Sequence, residues 1–150
     1  MKFLSALGFT ILLAVALSTA ALAQVEDAPP EIQAYVDREA KKQDVPGEIN
    51  KLIYGDVNGD GVKDAVVQYN IQIGFPGNNF LSYIAVFVKT KGKFVLAAQM
   101  ENGAKLATVL VPASVKNKII TFDKYGAQGF DRIGTARYKL AGKRLIKILR

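Results

Sequence analysis

Between residues 29 and 47 the apolar positions fall at helical spacing, and from about residue 50 onward they fall on alternate residues. In "PPEIQAYVDREAKKQDVPG", Ile32, Tyr35, Val36 and Ala40 form one stripe and the other face is charged. The two prolines and Glu31 suit a helix start, Lys41 and Lys42 suit its end, and Pro46 and Gly47 stop it. The spacing predicts a surface helix lying on a sheet; because the stripe is short, a solvated arm is the alternative.

The period then changes to two. "KLIY" is a short strand ahead of an Asp-rich loop, and "AVVQYNIQI" follows the loop. There Val67, Tyr69, Ile71 and Ile73 alternate with Gln68, Asn70 and Gln72, which predicts one buried and one wet face. "FLSYIAVFV" is apolar on both faces and reads as a central strand, and "TKGK" turns the chain into "FVLAAQM". "KLATVLV", closed by Pro112, comes next; "KIITFDKY" follows a turn at "KN", and "IGTARYKL", "AGK" and "RLIKIL" make a last hairpin. The expected fold is α+β: an N-terminal helix packed on a mainly antiparallel β-sheet or small sandwich of about seven to eight strands. No internal repeat is visible.

The first residues bear on location. "MKFLSALGFTILLAVALSTAALAQ" has Lys2, an apolar run and an Ala21-Leu22-Ala23 end, the pattern of a secretory signal peptide cleaved before Gln24. The alternative, an uncleaved anchor, is disfavoured because the run from Phe3 to Leu17 is about 15 residues, short of the roughly 18–20 a span needs. The expected organisation is a signal peptide over 1–23 and one mainly-β domain over 24–150. The product is periplasmic or secreted, with no stable membrane span after cleavage.

Two absences narrow the chemistry. The chain has no cysteine and no histidine. Thiol nucleophiles, Ser-His pairs, disulfides and imidazole metal sites are excluded, and zinc, copper and haem lose their usual ligands. What remains is oxygen chemistry suited to calcium, magnesium or manganese.

That chemistry gathers in "GDVNGDGVKD", residues 55–64. Counted from Asp56, the oxygen ligands of an EF-hand-type loop fall on Asp56, Asn58, Asp60, the Val62 carbonyl and Asp64, with Gly61 at the sharp turn. Position 12 is Val67 rather than a bidentate glutamate, and a strand rather than a helix follows, so this is not an EF-hand pair. Asp, Asn and Gly also build tight turns through side-chain bonds to their own backbone, so a metal-free turn is the competing interpretation.

The run Asp56-x-Asn58-Gly59-Asp60-Gly61-x-x-Asp64, leading into Ala65-Val66-Val67, resembles the calcium loops of FG-GAP and VCBS-type repeats. The resemblance implies that Asp64 takes over the acidic ligand role of position 12. The longer stretch "YGDVNGDGVKDAVVQYNIQIGFPGNNFLSYIAVFV" is similar to small exported bacterial proteins of the LppP/LprE lipoprotein type, in which a like loop and strand precede a Gly-rich turn and a Y-[IL]-A-V-[FY] strand. The departures are a single loop copy, which argues against a propeller, and the lack of a lipidated cysteine or a late cysteine pair where "YGAQGFDRIG" stands.

Two further loops invite a binding interpretation beside a plain one. "GFPGNNF" at 74–80 is a lip or a simple hairpin connection, and Tyr125 and Phe130 of "YGAQGFD" line a groove or pack over a sheet end. The net charge is +7, or +6 once Lys2 is removed. Lys139, Lys143, Arg144, Lys147 and Arg150 collect late, beside Lys89, Lys91 and Lys93 earlier. They are a solvated face or a surface for an anionic envelope polymer or acidic protein; nucleic acid is disfavoured by the compartment. The expected function is an exported, non-catalytic β domain with a structural calcium (Ca2+) loop. The alternative is a small carboxylate-dependent, metal-assisted envelope hydrolase, although no acid pair at a recognisable spacing stands out.

Overall fold

The computed structural model describes residues 28–73, 79–104, 106–127 and 131–149. The signal-peptide stretch with Gln24, the centre of "GFPGNNF", Phe130 and Arg150 lie outside the described residues.

The predicted helix spans Pro30–Lys41 (α1). It begins with proline at the first turn, where no backbone N–H is needed, and carries Glu31 near its start and Arg38 and Lys41 near its end. Ile32, Tyr35, Val36 and Ala40 are all buried, so the stripe is a packing face and not a solvated arm.

The strands follow in order: β1 (Gly47–Gly55), β2 (Asp64–Gln72), β3 (Phe80–Thr90), β4 (Lys93–Ala104), β5 (Val109–Lys116), β6 (Ile119–Tyr125), β7 (Arg132–Ala141) and β8 (Arg144–Lys147). They make two four-stranded sheets in sequence order, β1-β2-β3-β4 and β5-β6-β7-β8, with every pair antiparallel. The fold is α+β, as expected, with the helix ahead of all eight strands. The hairpin turn at Lys91-Gly92 uses the predicted residues and the next falls one residue later than expected, at Asn117-Lys118; both have positive φ at their two centres, the backbone that matches strand twist.

Three layers result. The helix covers one face of the first sheet, where Ile32, Tyr35 and Val36 pack with Val67, Tyr69, Ile71, Ala85 and Phe87. Tyr35 meets Phe87 and Tyr69 edge-on. The Tyr35 hydroxyl donates to Gln99 Oε1, and Gln99 Nε2 donates to the Tyr69 hydroxyl at 2.9 Å. Burial pushes both phenols above their ordinary range, so they stay neutral donors. On the other face, Val57, Val66, Ile84, Val86 and Ala98 pack against Ile120 and Phe122 of the second sheet.

The second sheet overturns two expectations. The Gln68-Asn70-Gln72 face of β2 is wet at one end only: Gln68 is buried, Asn70 half-buried and Gln72 exposed, and the same face carries Val66 and looks toward the second sheet. Gln68 is 7% exposed; Ser82, which pairs with Asn70, and Asn102, which donates to the Ser82 hydroxyl, are 1% and 4% exposed. Alternation marks which residues share a face, but not what covers it. Nor does Pro112 end a strand; it lies inside β5, next to a register shift between Pro112 and Ser114. The site tolerates proline because β5 is an edge strand with a bulge, where a missing N–H breaks no ladder. Two strands also run longer than their apolar cores: β1 starts at Gly47 and β4 continues to Ala104. Asn102 ties the sheets together, its Oδ1 accepting the Leu110 N–H and its Nδ2 donating to the Leu110 carbonyl, both at 2.8 Å.

Candidate functional site

The loop between β1 and β2 is wound by its own side chains. Asp56 accepts the N–H of Gly59 through Oδ1 and, at 3.0 Å, that of Gly61 through Oδ2. Asn58 Oδ1 accepts the Asp60 N–H at 2.9 Å, and Asp60 Oδ1 accepts the Val62 N–H at 2.8 Å. Three successive residues of the motif thus each hold a backbone N–H two to five positions ahead, the mechanism that makes Asp and Asn turn-formers. Gly59 and Gly61 have φ of 92° and 81°, a conformation side chains resist, which is why glycine stands at both. The Gly59 N–H, followed by those of Gly61, Asn58 and Asp60, holds the Asp56 carboxyl below the usual carboxylate range.

Asp64 differs from the rest of the motif. It is fully buried, its Oδ2 accepts the Val57 N–H at 3.0 Å and its Oδ1 accepts the Lys89 N–H at 2.9 Å. One carboxylate therefore fastens the loop entrance to the end of β3. Spacing grouped Asp64 with Asp56 and Asp60, but its side chain supports the fold. No three acidic side chains among the described residues are grouped closely enough to hold a metal ion. The donors that fit a hard cation and are not fully buried are Asp56, Asn58, Asp60 and the Val62 carbonyl; Asp64 lies buried beneath them. Each of these side chains has oxygen lone pairs beyond the bonds just described, since a carboxylate offers about four acceptor sites. The exposed bond from Asn58 Nδ2 to Asp60 Oδ2, 2.9 Å, competes with a cation for Asp60.

Sequence spacing gave no hint of Lys118. A methyl group built on Gly59 would lie 2.4 Å from Lys118 Nζ, so the turn between β5 and β6 lays an ammonium across the acidic loop. Only the docking of the two sheets brings these segments together.

The basic residues divide. Lys139 and Arg144 share the outer face of the second sheet with Ile146. Pairing through β6 adds Lys116 and Arg137 to that face. Lys147 pairs with Tyr138 and so stands on the opposite side, and Lys143 sits in the turn. On this outer face Asp123 accepts from Arg132 Nε at 2.8 Å. Lys139, Lys143, Arg144 and Lys147 therefore do not make one surface, whereas Lys116, Arg137, Lys139 and Arg144 do.

No protein-family model, no curated protein and no solved structure matches this chain. Among the described residues no helix is long and apolar enough to cross a membrane.

Proposed function

We propose that this chain is an exported binding domain, not an enzyme, whose acidic loop takes one calcium ion and whose basic sheet face meets an anionic envelope polymer. The observation that supports the calcium reading most is the loop's own hydrogen bonding. Asp56, Asn58 and Asp60 already hold Gly59, Gly61, Asp60 and Val62 N–H groups, so the loop is folded before any ion arrives. A preformed loop lowers the ordering cost of binding. The ligands would be Asp56, Asn58, Asp60 and the Val62 carbonyl, with Asp64 supporting the loop from beneath. The ion's role is structural: it offsets the repulsion of acids crowded into one turn.

Extracellular calcium modules bind at about 10⁻⁴–10⁻³ M. A site somewhat tighter, at about 10⁻⁵–10⁻⁴ M, adds roughly 1.4–2.7 kcal/mol at about 1 mM calcium. Thermal unfolding of the purified protein in calcium against chelator tests this, with an expected rise of roughly 4–10 °C. Asp60→Ala should remove the rise, and equal melting temperatures for the wild type would refute the reading. For the basic face, retention on an immobilised anionic polysaccharide should fall steeply with salt, because exposed charges are screened within about 8–10 Å. Replacing Lys139 and Arg144 by glutamate should shift elution to lower salt, and unchanged elution would leave the face merely solvated.

A further inference from the structure

The face of the first sheet that looks toward the second sheet changes character along β2. At the loop end it is apolar, with Val66, Ile84 and Val86 in the inter-sheet core. At the other end it is polar: Asn70 is flanked across the ladders by Glu48 and Ser82, and Gln72 by Phe80. A cleft of about 210 Å³ opens there, lined by Pro46, Glu48, Asn70, Gln72, Asn79 and Phe80. Asn70 Oδ1 is buried and has no hydrogen-bond partner among the described residues. Buried acceptors are almost always paired, and leaving one unpaired costs about 1–3 kcal/mol, so an exception at the wall of a cleft marks a place where a donor is wanted.

The chemistry of the lining selects the donor. Three primary amides offer both donors and acceptors, Glu48 offers acceptors, and Phe80 and Pro46 supply an apolar wall. Among the described residues no lysine or arginine lines the cleft, which does not favour an anion, although the chain as a whole is basic. Hydroxyl groups, which donate and accept at once, match amides and a carboxylate. A sugar ring adds C–H faces that lie against an aromatic wall. The volume, about 210 Å³, leaves room for one small ring.

We propose that this cleft binds a neutral polyhydroxylated ligand the size of one monosaccharide, with Asn70 Oδ1 accepting from a ligand hydroxyl. Gln72 and Asn79 hold neighbouring hydroxyls, and Phe80 packs on the ring. The site stands apart from the acidic loop: Asn70 and Asp64 are about 20 Å apart along β2 at the rise of a strand. Its success or failure is independent of calcium.

The test is a ¹H–¹⁵N NMR titration of the purified protein with glucose, galactose, mannose and N-acetylglucosamine, with ethanolamine as the cationic control. Saturable shifts in the Asn70, Gln72 and Asn79 side-chain amides at millimolar sugar, without shifts at Gly59 and Gly61, are expected. Asn70→Leu should weaken binding about ten-fold or more, the loss of one good hydrogen bond. Gln72→Ala, at an exposed position, supplies a second variant that keeps the fold, with a smaller loss. Methyl glycosides that bind as well as the free sugars assign the site to the end of a glycan; loss of binding on methylation assigns it to a free sugar. The proposal is overturned if no sugar saturates, if only ethanolamine does, or if Asn70→Leu and Gln72→Ala both bind as the wild type.

Discussion

Asp64 and Asn70 stand on one face of β2, at its two ends, and both are polar side chains set into an inter-sheet surface. Asp64 is fully buried, and each of its oxygens holds a backbone N–H, from Val57 and from Lys89. Asn70 has a buried oxygen that no described group reaches. The same strand therefore carries a polar group completed by the fold and one left for something else. The difference is one of completion: both oxygens of the acid that spacing nominated as a ligand already hold backbone N–H groups, and the amide that alternation placed in water lines a cleft.

The comparison breaks first at Asp64. Asp64→Ala leaves the Val57 and Lys89 N–H groups without their acceptor in a buried place, and should cost about 3 kcal/mol or more. Urea unfolding measures this. A loss under about 1 kcal/mol would mean that water or backbone replaces the carboxylate, and that Asp64 is not the loop's anchor. Asn70→Leu should behave oppositely. Because it removes an unpaired buried acceptor, stability should be unchanged or rise by about 1 kcal/mol while sugar binding weakens about ten-fold or more. A loss of about 2 kcal/mol would place Asn70 with Asp64 as a structural group.

Lys118 sharpens the loop side of the comparison with a smaller effect. Its ammonium beside Gly59 is a like charge for an incoming cation, so Lys118→Ala should tighten calcium binding by a few-fold, an effect expected to shrink with salt. Weaker binding in the variant would mean that the lysine organises the loop. The smallest effect concerns pH. Asp56 has a depressed carboxyl pKa, so whatever stability it contributes is present above its unfolded value and lost as pH falls through the lower folded one. Because the carboxyl lies near the surface, Asp56→Asn should flatten the acid limb of the melting curve only slightly.

Much of this was legible in local patterns. The stripe from Ile32 to Ala40 specified a packed helix, and the turn residues at Lys91-Gly92 and Asn117-Lys118 specified hairpins. Asp56, Asn58 and Asp60 lie in the loop at the positions their spacing implied, because Asx-type bonds form between near neighbours. What stayed hidden depends on distant partners. The burial of Gln68, the pairing of Asn102 with Leu110 and the approach of Lys118 to Gly59 all require the second sheet to dock. Pro112 misled because proline ends a central strand but not a bulged edge. The basic residues divide for a related reason: side chains alternate across a strand, so Lys147 departs from Lys139 while Arg137 and Lys116 join it.

The central claim is that the Asp56–Val62 loop holds one calcium ion, and calorimetric titration of the chelator-treated protein with calcium tests it most directly. One saturable site in the range of about 10⁻⁵–10⁻³ M is expected, lost in Asp60→Ala and kept in Asn70→Leu. No heat of binding across that range, or binding that survives Asp60→Ala, would contradict it and return the loop to a turn made by its own side chains.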